Sequence, residues 1–296
     1  MMTIITQEIG FINLISLVWF LFCWISYSLF AKYMAKKVAS LSSVLHVHRI
    51  NWMRRLLQRD VRVGDAALLS NLERNVNFFA SSCVLILAGL LAALTAIEEL
   101  QQILSEITFV EPTSLLALEL KIITLVFVFI YAFFTFTWSL RQYGFASVLV
   151  GAAPLPDDES VTANERRSFA IYGAKIIDQA SHSYNYGLRS FYFSLALLTW
   201  FASPWVFILA ATAVVGVLYE REFLSNSLRA LKKVEGVGDK LFEDDKELYR
   251  RSLVKPVKEK PLKEKALKEM LVKEKPVKEI PASKDKLVNK DKLPKG

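Results

Sequence analysis

The residues that could do chemistry in this chain lie mostly between positions 46 and 65. His46 and His48 are two positions apart, and the carboxylates Asp60 and Asp65 follow. Imidazole and carboxylate groups are the usual general acids, general bases and metal ligands. Side chains two positions apart on a helix point about 200° apart, so the two histidines converge on a metal ion only from an extended segment. These four residues are the plausible chemistry of a lipid-headgroup enzyme, and His46 and His48 are weak candidates for metal binding.

No established catalytic pattern accompanies these residues. The sequence contains no phosphate-binding glycine loop, no HExxH motif and no GxSxG elbow. A tetrahedral metal site needs four ligands, and the remaining histidine, His182, lies far along the chain. We therefore expect no cofactor and no catalytic residues, and we favour a non-enzymatic protein.

An arginine cluster overlaps the same segment. Ile50, Met53 and Leu57 recur at helical spacing, so with Trp52 they predict a basic amphipathic helix over residues 46–59, lying in the headgroup region of a membrane. Two interpretations remain open: the arginines contact anionic lipid or a protein partner, or they only anchor the orientation of the protein. The candidate contact residues are Arg49, Arg54, Arg55, Arg59 and Arg62.

The elements that must position these residues are membrane helices. Three apolar runs, residues 10–30, 78–97 and 122–140, are about 20 residues long and lack the polar face of a soluble helix. A fourth run, residues 191–219, contains Ser203-Pro204, which is typical of a helix start. This run forms either one helix kinked at Pro204 or a hairpin of two short helices, and we favour the hairpin.

We therefore predict an all-α fold, a polytopic transmembrane helix bundle with cytoplasmic amphipathic helices and a disordered C-terminal tail. The membrane domain covers residues 1–232, with the hairpin spans at 191–203 and 204–219. The tail, residues 233–296, repeats Lys-Glu pentads such as PVKEK and PLKEK, and its prolines interrupt any long helix.

Net charge divides the chain in the same way. Residues 220–296 hold 22 of the 37 Lys and Arg residues and 15 of the 29 Asp and Glu residues, which gives +7 of the total +8. The rest of the chain is apolar with a net charge of only +1, which excludes a compact soluble enzyme. Because the tail mixes both signs and ends its aromatic residues at Tyr249, we expect no nucleic-acid partner.

The loop charges predict an orientation. Residues 32–77 carry nine Lys and Arg residues and residues 141–190 carry five, whereas Lys121 is the sole cation between the second and third runs, against five acids. Basic loops face the cytoplasm. We expect a bacterial inner-membrane protein with its N-terminus outside, both basic loops in the cytoplasm and, if residues 191–219 form a hairpin, a cytoplasmic tail.

The second basic loop contains a further predicted helix. Thr162 and Glu165 have the spacing of a capping box at its start. An apolar stripe follows at helical spacing, and we expect it to pack on the membrane surface or against the 46–59 helix. The stripe consists of Phe169, Tyr172, Ile176, Ala180 and Tyr184.

Three stretches carry a resemblance to a known family. They are HRINWMRRLLQRDVRVGDAALLSNLERNVNFFASSCVLILAGLLA at residues 48–92, RSFYFSLALLTWFASPW at 189–205 and YEREFLSNSLRAL at 219–231. Over roughly residues 10–232 the chain resembles the bacterial membrane proteins grouped as domain of unknown function 599. The resemblance implies an integral inner-membrane protein with four or five helices, and it implies no activity, substrate or site residues.

These observations rank three functions. The first is a non-enzymatic integral membrane scaffold or interaction protein whose basic loops contact membrane lipids or a membrane or cytoplasmic protein partner. The second is a small-solute transporter or channel that uses the Pro204 break, with the neutral Ser and Thr residues of the spans lining its path. It ranks below the scaffold because the spans lack the deep ionisable groups that a coupled transporter usually needs. The lipid-headgroup enzyme is third.

Overall fold

The computed structural model describes residues 10–35, 37–108 and 110–239, and the regular elements in these residues are all helical. This confirms the predicted all-α class. The helices are α1 Phe11–Met34, α2 Leu41–Leu56, α3 Val63–Thr95, α4 Ile97–Ser105, α5 Leu115–Gly151, α6 Ala163–Thr199, α7 Pro204–Tyr219, the π-helix Glu220–Leu224 and α8 Asn226–Asp239.

Three of these helices are long and apolar enough to cross a membrane. They are α1, α3 and α5, with 24, 33 and 37 residues, and a span needs about 20. The apolar side chains of α1 point outward over most of its circumference, for example Phe11 and Val18, which are 72% and 66% exposed. A continuous apolar surface of this kind is stable against lipid and not against water. The protein is therefore a multi-pass membrane protein.

The helices extend well beyond the apolar runs that predicted them. α3 begins at Val63 and α5 ends at Gly151, whereas the corresponding apolar runs begin at residue 78 and end at residue 140. The backbone hydrogen bonds of a helix continue into polar sequence, so hydropathy marks the lipid-buried part and not the helix end.

The fourth apolar run is broken into two helices, as the hairpin alternative predicts. α6 ends at Thr199, α7 begins at Pro204, and the two helices pack against each other. Proline suits the first turn of a helix because its missing N–H has no helical partner there. Ser203 occupies the N-cap position without a side-chain cap bond. Its hydroxyl instead donates to Glu111 Oε1 at 2.7 Å.

Hydrogen bonds fix which helix ends lie together. At one end, which we call the turn end, Glu111 N donates to Ala202 O at 3.1 Å and Trp200 Nε1 donates to Asn13 Oδ1 at 2.9 Å. The α4–α5 connection, the α6–α7 turn and the start of α1 therefore meet. At the opposite end, the α2 end, His48 Nε2 lies 3.3 Å from Leu231 O of α8. α7 runs from the turn end to the α2 end, antiparallel to α6.

α5 and α6 form the centre of the bundle. α5 packs against α3 and α6, and α6 also packs against α2 and α7, while α1 packs against α7. The fully buried Phe136 ring of α5 lies 5.5 Å from the Phe79 ring and 5.8 Å from the Tyr184 and Phe191 rings, measured between centroids. Such stacked and edge-on aromatic contacts stabilise the bundle beyond the burial of their surface area.

Two of the helices that begin at the α2 end, α2 and α6, begin with capping boxes. Ser40 and Ser43 form a capping box at the start of α2. Thr162 and Glu165 form the predicted capping box at the start of α6, with Thr162 N donating to Glu165 Oε2 at 2.8 Å. Each box satisfies amide donors that the first helical turn leaves open.

The buried face of α6 differs from the predicted stripe. Ala170, Ala174 and Ile177 are buried, whereas Tyr172 is exposed. At Gly173 the backbone of α6 comes close to α2, since a Cβ atom there would lie 2.6 Å from Met53 Cε. The predicted stripe is therefore buried in part: Ala180 is buried and Tyr184 packs on Phe79 and Phe136, whereas Tyr172 is exposed. α6 packs against α2, as one of the two predicted alternatives requires. α8 continues to Asp239, and residues 240–296 of the predicted tail lie outside the described residues.

Candidate functional site

The strongest concentration of polar contacts lies where α2 packs on α6. Val47, Ile50, Met53 and Leu56 of α2 are buried, and so is Leu57, which follows the helix. The amphipathic pattern of residues 46–59 thus predicted a real helix, although α2 begins at Leu41 and ends at Leu56. Its apolar face is buried within the protein, and its position in the headgroup region stays a prediction.

Asp178 of α6 is the charged centre of this contact. Its carboxylate accepts hydrogen bonds from the Arg49 guanidinium and from His46 Nδ1, and its side chain is only 11% exposed. A buried carboxylate is stable only when it is paired and hydrogen-bonded. Arg49 supplies the opposite charge, and His46 supplies a second donor from the preceding turn of α2.

The protonation state of His46 follows from its surroundings. Burial, helped by the nearby Arg49, His182 and Lys175, lowers the pKa of His46 to about 4. At neutral pH the ring is therefore neutral, and the proton on Nδ1 is the one donated to Asp178. Burial also lowers the pKa of Arg49, but a guanidinium stays charged at neutral pH. The arrangement is an Arg–Asp ion pair with a neutral imidazole donor.

A second set of contacts ties the π-helix and α6 to the first turn of α2. Ser42 N donates to Glu222 Oε1 at 3.3 Å, and Ser42 Oγ lies 3.5 Å from His182 Nδ1. His182 is one helical turn beyond Asp178, so both residues face α2. With the His48 contact to α8, these bonds connect the segment after α7 to the loop between α1 and α3.

Further polar contacts join α6 to α5 within the next turns of α6 after Asp178. Ser139 Oγ donates to Ala180 O at 2.7 Å, and Tyr143 Oη lies 2.9 Å from Ser181 Oγ. Ser183 Oγ donates to Gln142 Oε1 at 2.9 Å. Together with the Asp178 cluster they form a polar layer across α2, α5 and α6. The layer fixes the helices in one register, because each buried polar atom requires its own partner.

A second buried carboxylate stabilises the start of α3. Asp65 is 1% exposed and accepts from Arg59 Nη1 and from Trp52 Nε1, each at 2.7 Å. Asp65 is therefore paired with an arginine within the protein. Arg62 donates from its two terminal nitrogens to Ala153 O and Pro154 O, each at 2.6 Å.

The five predicted contact arginines therefore divide into two groups. Arg49, Arg59 and Arg62 bond within the protein, and the half-buried Arg54 also interacts there, while Arg55 is exposed. Arg59 belongs partly to both groups, because its side chain remains 47% exposed beside Asp65. Contact of these residues with lipid or with a partner stays a prediction.

The residues suggested for enzyme chemistry are not brought together. His46 contacts Asp178, His48 contacts α8, and Asp65 contacts Arg59, so each serves a different helix contact. Asp60 is exposed in the connection between α2 and α3. Among the residues that the structure describes, no three His, Cys, Asp or Glu side chains are grouped so that they could hold a metal ion.

The neutral hydroxyls of the spans mostly bond to their own helix. Thr124 Oγ1 donates to Leu120 O at 2.7 Å, and Ser82 Oγ donates to Phe78 O at 2.8 Å. Thr212 Oγ1 donates to Ile208 O at 2.8 Å in the same way. A hydroxyl that donates its hydrogen bond to the preceding helical turn can only accept a hydrogen bond from a solute.

Asp178 is the central residue that sequence reasoning missed. Its signal is present in the sequence: a single acid occurs among Gly173, Ala174 and Ala180, which are small residues typical of a close helix contact. Its partners could not be read from the sequence, because Arg49 lies 129 positions away and His46 lies 132 positions away.

Comparison with known proteins supports the resemblance in the sequence. Residues 15–227 match the family described as "Protein of unknown function, DUF599". The match covers 227 − 15 + 1 = 213 of the 296 residues. The comparisons with curated proteins and with solved structures found no match. On the strength of the matched length, this chain belongs to the DUF599 family.

Proposed function

We propose that this protein is a non-enzymatic scaffold of the bacterial inner membrane whose cytoplasmic α2 platform contacts anionic lipid headgroups. The platform consists of α2 and of the residues that follow it as far as Arg62. The observation that carries the proposal is the burial of the apolar face of α2 within the protein. That burial holds the helix in place and leaves Arg55 and part of Arg59 exposed.

Charge supports the orientation of the platform. The α2 end contains the two basic loops, 32–77 and 141–190, whereas the segment from residue 98 to residue 121 carries five acids and Lys121. Positively charged loops stay in the cytoplasm during insertion. With five crossings, formed by α1, α3, α5, α6 and α7, the N-terminus is outside and α8 is in the cytoplasm.

Lipid is favoured over a protein partner because of where the arginines lie. α2 follows directly after α1, so its exposed face stays close to the membrane surface. An exposed arginine near an anionic leaflet contributes about 1 kcal/mol to lipid attraction. α8 adds the exposed side chains of Arg229, Lys232 and Lys233 next to α2.

The proposal is tested by extracting the full-length protein in native lipid discs and measuring phosphatidylglycerol and cardiolipin per protein by mass spectrometry. The variant is Arg54→Gln with Arg55→Gln, because Arg59 must remain to pair with Asp65. The matched control, Lys258→Gln with Lys263→Gln, removes the same charge from the tail. We expect a severalfold loss of anionic lipid for the α2 variant only.

Equal anionic lipid in both variants and in the wild-type protein would overturn the lipid contact. If a co-purifying protein is lost from the α2 variant while the lipid is unchanged, the platform binds a protein partner instead.

A further inference from the structure

A cavity lies at the turn end, on the opposite side of the bundle from the α2 platform. Its volume is about 360 Å³, and it lies between α4, the segment that joins α4 to α5, and the α6–α7 turn. This volume is within the range of small-molecule sites, about 300–1,000 Å³. The polar lining residues that matter here are Gln101, Gln102, Glu111, Thr113 and Lys121.

Lys121 is the unusual member of this lining. It is only 2% exposed, and its ammonium lies 5.8 Å and 5.9 Å from the centroids of the Trp200 and Phe201 rings. An ammonium has three N–H donors. Within the described part of the chain, Thr113 Oγ1 at 3.4 Å is the one hydrogen-bond acceptor that Nζ reaches, and that contact is long. Donor capacity therefore remains for a bound anion.

The surroundings of the ammonium are otherwise well ordered by hydrogen bonds. Thr113 Oγ1 donates to Glu111 O at 2.9 Å, and Gln101 Nε2 donates to Thr113 O at 2.8 Å. Ser114 caps α5 by accepting from Ala117 N at 3.2 Å, so the positive end of the α5 dipole also lies beside the cavity. These contacts preorganise the site, which reduces the entropy lost when a ligand binds.

The charge of the lining selects the class of ligand. Glu111 also lines the cavity and balances Lys121, so a phosphate dianion would meet one cation and one anion. A monoanion meets half the repulsion from Glu111 and loses less hydration on entering the cavity. Leu104, Leu118 and Phe201 supply an apolar wall. We propose that this cavity binds a small monocarboxylate, with its carboxylate on Lys121 Nζ and its apolar body against Phe201. This site is separate from the proposed lipid contact of α2.

The test uses the full-length protein in detergent and 4-fluorobenzoate as the probe, with binding measured from the broadening of its ¹⁹F NMR signal. We expect saturable broadening with the wild-type protein and at least a tenfold weaker affinity for Lys121→Met. Lys37→Met, which removes an exposed lysine between α1 and α2, is the matched control and keeps wild-type affinity. 4-Fluorobenzamide, which has the same shape without the charge, should bind at least tenfold more weakly.

The thermal midpoint of unfolding is measured for each variant, as a control that the variant is folded. Lys121→Met removes an under-paired buried charge, so we expect its midpoint without ligand to be equal to or above the wild-type value. As a second variant, Gln102→Trp fills the cavity from its exposed rim while keeping Lys121, and it should abolish saturable broadening.

Three results would overturn the proposal. One is equal broadening of the benzoate and benzamide signals, and another is unchanged benzoate binding in Lys121→Met. The third is a phospholipid that is retained by the wild-type protein, lost from Lys121→Met and not displaced by 4-fluorobenzoate, which would assign Lys121 to a lipid headgroup. None of these results depends on the lipid content measured for the α2 platform.

Discussion

Gly187 of α6 lies directly against the ring of Phe136 of α5: a Cβ atom added at Gly187 would be 2.5 Å from Phe136 Cε1. The ring is fully buried and packs on Phe79, Tyr184 and Phe191, so a Cβ atom at Gly187 would force it to shift within a packed cluster. This contact sets the distance between the two central helices of the bundle.

We therefore expect Gly187→Ala to lower the free energy of unfolding by about 1–3 kcal/mol, the usual cost of overpacking. Thermal unfolding in detergent, followed by tryptophan fluorescence, would measure it. Gly173→Ala is an informative control, because its Cβ would meet only the flexible side chain of Met53, whose end atom Cε would lie 2.6 Å away. A smaller loss at Gly187 than at Gly173 would contradict this account.

The Arg49–Asp178 pair should be strongly coupled. Replacing either residue alone, by Arg49→Met or Asp178→Leu, leaves the other charge buried without its partner and should cost about 3–5 kcal/mol. The double variant removes both charges, so its loss should be clearly smaller than the sum of the two single losses. A double-mutant cycle on thermal stability measures the difference, and strict additivity would show that the pair is not coupled.

Acid should destabilise the contact between α2 and α6 through His46. The pKa of His46 is about 4 in the folded protein, below the ordinary value of about 6.5 in an unfolded chain. Between these two values the unfolded chain binds the extra proton, so stability falls as the pH falls from 6.5 to 4, by up to about 3 kcal/mol.

The charged and titratable groups near the His46 ring are Asp178, Arg49, His182 and Lys175. We expect His46→Gln to flatten the fall of the thermal midpoint between pH 6.5 and pH 4.5, because glutamine does not titrate. His48→Gln is the matched control on the same helix and should retain the wild-type pH dependence. Parallel pH profiles for His46→Gln and the wild-type protein would exclude His46 as the responsible group.

The orientation can be tested with single cysteines and a membrane-impermeant maleimide in intact cells. Glu106→Cys, at the turn end, should be labelled, whereas Gln58→Cys, near the α2 end, should be labelled only after the cells are opened. Ser252→Cys reports the tail, which we expect to be protected. Cys23 and Cys83 are buried in the bundle, so background labelling should be low. Labelling of Ser252→Cys in intact cells would contradict the cytoplasmic tail.

Hydropathy and spacing predicted much of this fold, because burial in lipid imposes long apolar runs that can be read directly. The break at Pro204 and the capping box at Thr162 depend on neighbouring residues only, and both were predicted. The choice between a hairpin and a kinked helix depended on contacts such as Glu111 with Ala202, which are 91 positions apart and leave no local pattern.

The polar sites were less accessible to sequence reasoning for the same reason. Lys121 reads in the sequence as a charge near the start of an apolar run, and only the fold places Trp200 and Phe201 around it. Arg49 reads as one member of a basic cluster, yet its role is to pair with Asp178. A charge pattern predicts how many arginines lie on a helix but not which of them form ion pairs or hydrogen bonds within the protein.

The unbroken length of α6 has a mechanical consequence. Its 37 residues contain no proline and correspond to about 55 Å at 1.5 Å per residue. Phe201 lies just beyond one end of this rod, and Asp178 lies 201 − 178 = 23 positions earlier, or about 35 Å away along the axis. A rigid tilt of about 5° pivoting near Phe201 would displace Asp178 by about 3 Å, enough to separate it from Arg49. α6 is thus a single lever arm that connects the turn end to the contact between Asp178 and Arg49.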